Sequence, residues 1–483
     1  MLLGIILLLV VFVIMLYAIA KDVMERSALV LVCAVAAFFV VILIEGAPPT
    51  VVVEFLFGTA SDGYQNFHAI ALIFGIMIIS TVCYRTGFFQ FIAFQLIKFT
   101  RGKPVKVLVM IALLTFLVSS VLADSITAII LIPLTATVCK TLRLNAVPYI
   151  VLQMFCIKLG ATVLPISSIP SILITASQQI SSIEYFTSAG LISFGAVFLT
   201  IFLFQPLFHF RLSETSFDEV DVLMKFNPWT FVKDKKMMLI SAVTFFSAIA
   251  GFIIIPVEIL KPDTISFIGA AFLFVINRKN TRQILKEIDF SLLLYLLGVF
   301  VVTGSLQYAG LIDLIGQGLT SLNVTNIGIA FLILFWIGAI ASAFIDNIPI
   351  TQIMIPLINI LFGPVGTPTA KIGGTGLALG TIWGDNLTPF GDTILPLTIA
   401  KNNKVDIQPK DFFKVGAGMT LIIYTVISVV VLFIFDPILG LIILPFILGG
   451  LVFIVIIKKR KKGERPSRSS HAVFFKKKDD EEA

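Results

Sequence analysis

Charge is scarce in this chain. Only 13% of its 483 residues are Asp, Glu, Lys or Arg, against 58% hydrophobic. That balance excludes a soluble domain and points to an all-α polytopic membrane protein embedded in a lipid bilayer. Histidine is scarcer still: His68, His209 and His471 are far apart, and loop or interfacial positions account for them. The four cysteines, Cys33, Cys83, Cys139 and Cys156, lie in or beside apolar segments with no Cys-x-x-Cys. They read as free thiols packed as small hydrophobes, not as a metal or redox site. No nucleotide-binding loop occurs, so ATP would have to enter through a separate partner. No nucleic-acid-binding module occurs either, and the formal charge of +7 reflects basic loops and a basic tail. No cofactor is expected. The stretch Leu2 to Ala20 lacks a basic n-region and a small-residue cleavage site, so it reads as a first span and not as a cleaved signal.

The most informative stretch is Gly380-Thr-Ile-Trp-Gly-Asp-Asn-Leu-Thr-Pro-Phe-Gly-Asp392. It sits inside an apolar segment yet holds two carboxylates, three glycines and Pro389, which cannot sustain a regular helix. Acids and broken helices are tolerated at bilayer depth only beside protein or water. Three more mid-membrane charges stand out: Asp124, Asp346 and Lys158.

Windows of about 20 apolar residues give about 11 transmembrane helices. Two segments, 105–139 and 325–361, carry polar tips at Asp124-Ser125 and Asp346-Asn347 and read as re-entrant hairpins. Two spans, 147–176 and 372–400, are interrupted by Gly and Pro. With the N-terminus outside, the loops 21–26, 84–104, 140–146, 210–237, 278–289 and 401–414, and the tail, fall on the cytoplasmic side and hold almost all Lys and Arg. The loops 45–68, 177–186 and 308–324 fall outside and hold none, while Lys261 and Lys371 are exceptions. The positive-inside rule is obeyed only if both polar-tipped segments return to the side they entered from.

A shift of 223 residues superposes Gly75 on Gly298, Gly87 on Gly310, Ser119 on Ser342, and Ile130-Leu-Ile-Pro-Leu134 on Ile353-Met-Ile-Pro-Leu357. One residue further, Gly160 meets Gly384 and Pro165 meets Pro389. This predicts two repeats, 1–209 and 238–436, around a cytoplasmic linker at 210–237, then an extra span at 437–457 and a basic tail at 458–483. Five spans and one hairpin per repeat invert the second relative to the first, the architecture of secondary transporters.

Phe344-Ile-Asp-Asn-Ile-Pro349, followed by an apolar helix and Leu379-Gly-Thr-Ile-Trp-Gly-Asp-Asn-Leu-Thr-Pro389, resembles the ion-transporter superfamily. That group includes ArsB/NhaD-type transporters, P proteins, and citrate and dicarboxylate carriers. Asp289-Phe-Ser-Leu-Leu-Leu-Tyr-Leu-Leu-Gly298 extends the resemblance over nearly the whole chain. It implies a scaffold and a transport domain, a homodimer, and elevator-type movement in the cell (plasma) membrane. This chain departs from the family where Ala123-Asp124 replaces the first Asp-Asn tip, Lys158 stands where an Asn helps bind sodium, and Asp385 replaces a glycine.

The expected substrate or ion site is Asp124, Ser125, Lys158, Gly160, Thr162, Asp346, Asn347, Gly384, Asp385, Asn386, Thr388 and Asp392. Each mid-membrane acid costs roughly 2.5–3.5 kcal/mol on an insertion scale, so the four should face one another, Lys158 or water. Lys158 is expected to act as a tethered cation. Asp385, Asn386 and Asp392 offer oxygens to Na⁺, and a desolvated Asp suits H⁺ equally. Plainer readings stand beside these: helix capping by Asp124 and Asp346, and a structural ion pair of Lys158 with Asp385 or Asp392. Cation/proton antiport or arsenite-type export follows, with a citrate or dicarboxylate carrier as the alternative. An intramembrane aspartyl protease would need Tyr-Asp and Gly-x-Gly-Asp on separate helices, and neither occurs. A passive channel fits two unlike half-sites poorly.

Overall fold

The computed structural model describes residues 2–21, 23–60, 63–208, 221, 224–225, 227–257, 259–321, 324, 326–438 and 440–441. The anticipated tail, most of the anticipated extra span, much of the linker, and His209 and His471 lie outside the described residues. Within them every regular element is helical. The first half runs α1 (Leu2–Ala20), α2 (Arg26–Leu43), α3 (Val51–Phe57), α4 (Gln65–Arg85), α5 (Phe88–Lys98), α6 (Pro104–Ser119), α7 (Asp124–Thr141), α8 (Ala146–Gly160), α9 (Ile169–Gln178), α10 (Ser182–Tyr185) and α11 (Leu191–Phe208). The second runs α12 (Lys235–Ile254), α13 (Pro262–Ile276), α14 (Thr281–Glu287), α15 (Phe290–Tyr308), α16 (Leu311–Ser321), α17 (Ile327–Ser342), α18 (Asn347–Phe362), α19 (Pro368–Gly384), α20 (Ile394–Asn402) and α21 (Pro409–Phe435).

The chain starts and stops these helices with recognisable chemistry. Asn326 caps α17 by accepting from Gly328 N at 2.8 Å, and Asp234 caps α12 through Lys236 N at 2.9 Å. Pro104, Pro262 and Pro368 open α6, α13 and α19 at first-turn positions whose N–H groups would go unused. The interior prolines Pro133 of α7 and Pro356 of α18 fall at matching places. Eight of the described helices are long and apolar enough to cross a membrane. The expectation of about 11 spans counted others that are shorter here. The two broken spans divide into α8 with α9 and α19 with α20, and α13 has only 15 residues. Of the four hairpin arms, α6, α17 and α18 have 16 residues each and only α7, with 18, has span length. The stretches 45–68, 278–289 and 308–324, expected as loops, contain α3, α14 and α16.

Packing is alike in the two halves. α6 and α7 both pack on α8, and α17 and α18 both pack on α19. The halves also interlock: α9 lies against α18 and α19, while α20 lies against α7. Glycine allows the closest of these approaches. Gly376, Gly380 and Gly384 recur every fourth residue on α19, facing Phe331, Phe335 and Ala339 of α17. A Cβ on Gly384 would lie 2.6 Å from the Ala339 carbonyl oxygen, and one on Gly380 would meet the Phe335 carbonyl. This small-residue stripe lets two backbones touch without a hydrophobic driving force between them. α8 repeats the device, with Gly160 against the Phe116 carbonyl of α6.

Gly380→Val should therefore force α17 and α19 apart and cost about 1–3 kcal/mol. A thermal midpoint in detergent lower by several degrees is expected. Gly195→Ala, where no atom lies within 4 Å of an added Cβ, should leave the midpoint unchanged.

Candidate functional site

The hairpin turns and helix breaks converge on one buried ammonium. Lys158, at the C-terminal end of α8 and 4% exposed, places Nζ 2.8 Å from Asp124 Oδ2, 2.9 Å from Asp385 Oδ2 and 3.3 Å from Asp392 Oδ2. It pairs with its own half and with the other half at once. Asp124 is the first residue of α7, and Ala123, the residue ahead of it, makes no side-chain cap bond. Asp346 does cap α18, accepting from Ile348 N at 3.0 Å. The capping reading thus holds at the second tip but not at the first.

Asp385 is the most enclosed acid, 1% exposed. Its Oδ1 lies 2.5 Å from Ser342 Oγ, and its Oδ2 accepts from Asn347 Nδ2 at 2.9 Å as well as from Lys158. Both oxygens are engaged. A sodium ion held by Asp385, Asn386 and Asp392, as the sequence suggests, would have to displace Lys158. Among the described residues no group of three or more His, Cys, Asp or Glu is arranged to hold a metal ion. Asp392 is the accessible acid, its side chain 31% exposed. Asp385 and Asp392 meet one ammonium, which stands where an aspartyl protease would need a water between them.

Several expected site residues hold the frame instead. Gly160 and Gly384 are packing glycines, as described above. Thr162 Oγ1 bonds Ser193 Oγ at 2.6 Å and receives Trp383 Nε1 at 2.9 Å. Thr388 donates to the Ala343 carbonyl, tying the break to the hairpin turn. Ser125, Asn347 and Asn386 line a cavity of about 400 Å³ with Asp124, Lys158, Asp346 and Asp392.

Four residues beyond the expected set contribute: Arg26, Tyr295, Ser119 and Ser342. Arg26, expected as a loop charge, extends from the start of α2 and puts Nη1 3.6 Å from Asp392 Oδ1 and 3.7 Å from Asp346 Oδ2. Its neighbour Glu25, outside the span, has its carboxyl held below the usual range by hydrogen bonds from the Ser27 hydroxyl and the Ala28 amide. The buried Tyr295 hydroxyl lines the same cavity with no well-formed hydrogen bond. Ser342 lies 2.5 Å from the Thr381 carbonyl as well as from Asp385, while Ser119 donates to the Ile157 carbonyl at 2.7 Å. The match of Ser119 with Ser342 across the repeat was the signal for that pair. Arg26 carries no such signal.

A second cavity of about 800 Å³ is lined by His68, Glu184, Lys261, Asp263 and Lys371. His68 Nδ1 lies 2.9 Å from Asp263 Oδ2, Lys261 Nζ lies 2.8 Å from His68 Nε2, and Lys371 pairs with Glu184 at 2.6 Å. Both lysines that break the basic-loop pattern thus have partners here. Pro165 and Ile166 face this cavity, while Ser167 and Ser168 face the first. The break between α8 and α9 is the partition.

Interlocked broken helices around a buried cluster of charge define a membrane transporter. The sequence profile described as Citrate transporter matches residues 14–367, and the chain belongs to that family. The match stops before α19, so Asp385 and Asp392 lie beyond it. An uncharacterized transporter of Mycobacterium tuberculosis is 24% identical over 360 residues, covering 74% of this chain and 83% of its own length. The human P protein is 23% identical over 446 residues, covering 75% of this chain and 52% of its own length. The crystal structure of the YdaH transporter of Alcanivorax borkumensis shares the fold, with a TM-score of 0.56 at 13% identity over 79% of this chain and 88% of that one.

Lys158→Met should leave the buried Asp385 and the half-buried Asp124 without their cation and cost about 3–5 kcal/mol. Adding Asp385→Asn should recover part of that loss. A thermal double-mutant cycle reads the coupling, and additive effects would contradict the shared ion pair.

Proposed function

We propose that this protein is a secondary active transporter that exchanges a small cation for protons by alternating access, or exports a neutral hydroxide such as arsenite by proton exchange. The observation that carries this reading is the charge balance of the central cluster. Four carboxylates, Asp124, Asp346, Asp385 and Asp392, meet two cations, Lys158 and Arg26. With all six groups charged, the cluster retains an excess of negative charge that H⁺ or Na⁺ would neutralise. Asp346 and Asp392 are the acids for that ion, because Lys158 already saturates Asp385.

The topology deduced from the basic loops puts the first cavity on the cytoplasmic side and the second outside, in the plasma membrane. The N-terminus is then outside and the C-terminus inside. The elements from α6 to α11 and from α17 to α21 form the moving unit of an elevator, with repeats of opposite orientation in a homodimeric assembly. Two cavities separated by one helix break support alternating access.

A second reading is a citrate or dicarboxylate carrier, as the family description suggests. Arg26, Ser125 and Ser291 supply donors for a carboxylate on the cavity wall. A polycarboxylate entering without a cation would nevertheless meet more acid than base.

Uptake into proteoliposomes under imposed pH and sodium gradients, with Na⁺, Li⁺, arsenite, citrate and succinate offered in turn, tests these readings. Flux driven by one of the gradients is expected, and catalysed flux indifferent to both would overturn coupled transport. Asp392→Asn should reduce the coupled flux by about tenfold or more, a loss of about 1.4 kcal/mol of coupling. Lys158→Asn should alter which ion drives the flux.

A further inference from the structure

Lys158 and Arg26 both neutralise the acidic cluster, but they are carried differently. Lys158 sits on α8, packed with α6 and α7 in the same group of helices as the carboxylates. Arg26 is the first residue of α2, whose main packing is on α1 and α15. It is thus a counter-ion reaching across a boundary between helix groups. Its Nη1 to carboxylate distances of 3.6 and 3.7 Å are those of an ion pair. Its side chain is 35% exposed in the cavity, and Asp392 is open to the same space. Such a contact can be replaced by a small cation arriving from the cavity.

We propose that Arg26 is an intramolecular competitor for the transported cation. It occupies Asp346 and Asp392 when they carry no ion, and it holds the hairpin-bearing helices to α2 until H⁺ or Na⁺ takes its place. This rests on the alternating-access reading above. The physical ground is the penalty for separating the pair. Asp346 is 5% exposed, and moving it away from Arg26 while empty would strand a buried charge, which is strongly unfavourable. Moving it with an ion bound leaves no such charge. Arg26 therefore suppresses ion-free movement and makes coupling strict, whereas Lys158 travels with the site and is a fixed part of it. Tyr295, on α15 beside α2, offers its hydroxyl to the same carboxylate region and would steady the locked arrangement.

The test introduces Ala123→Cys, at the first hairpin tip and on the wall of the first cavity, as a reporter. The native cysteines are buried and give a low background. A membrane-impermeant thiol reagent is applied to vesicles from the side of the second cavity, with and without Na⁺, at neutral and at acid pH. The reporter in otherwise wild-type protein should label from that side only when Na⁺ or acid is supplied. With Arg26→Gln it should label without either, about tenfold faster, equivalent to about 1.4 kcal/mol. Arg26→Lys keeps the charge but not the planar guanidinium, and should lie between. Arg26→Gln with the ion dependence of the parent overturns the proposal. If Arg26→Gln does not reach the membrane, Arg26→Lys decides, and an unchanged ion requirement there overturns it equally. If the parent itself never responds to either ion, the moving-site reading fails first and the competitor role falls with it.

Discussion

The arrangement depends on one ammonium held away from water. Lys158 is tolerable inside a membrane protein because three carboxylates reach it, and Asp124 and Asp385 are tolerable in turn because it is there. Asp124 comes from the first hairpin turn, and Asp385 and Asp392 come from the break between α19 and α20. Two segments more than 200 residues apart are thereby fastened at one point. The helix breaks need that fastening, since a broken helix frees backbone groups that must be satisfied by protein. Here the Thr381 and Ala343 carbonyls receive the hydroxyls of Ser342 and Thr388.

Behind this point the packing is close. Gly160, Gly380 and Gly384 bring helix backbones into contact, and Trp383 bridges from α19 to Thr162 in the other half. Tyr424 of α21 donates to the Gly380 carbonyl at 2.8 Å. The acids are thus held by a second ring of neutral hydrogen bonds, which fixes their positions without adding charge.

Much of this was legible in the sequence. The helical class, the broken spans and the identity of the buried charges followed from apolar run length and from the few residues that violate it. Transporter family membership followed from the hairpin-tip and broken-span motifs. What stayed hidden was partnership. Lys158 could be assigned to Asp124 or to a second-half Asp, because sequence spacing does not say which side chains meet across a fold. Arg26 was read as a loop charge because a basic residue beside a span ordinarily sets orientation. Gly160, Gly384, Thr162 and Thr388 share a motif with the acids, and the helix contacts and turn-closing bonds they make in this fold could not be read from that motif. The short helices α3, α14 and α16 escaped because they are too brief or too polar for a span-length window.

The partition between the two cavities has a consequence for voltage. Pro165 and Ile166 stand on one side of it and Ser167 and Ser168 on the other. Space that admits water and ions conducts, so a membrane potential falls mainly across what separates such spaces. In the proposed topology that separator is a few residues thick, not a whole bilayer. A charge carried past it crosses most of the field in a short step, worth about 2.3 kcal/mol per elementary charge for each 100 mV. A small displacement of the Lys158 cluster would then be electrically large, and its sign would depend on how many of the four acids carry a cation.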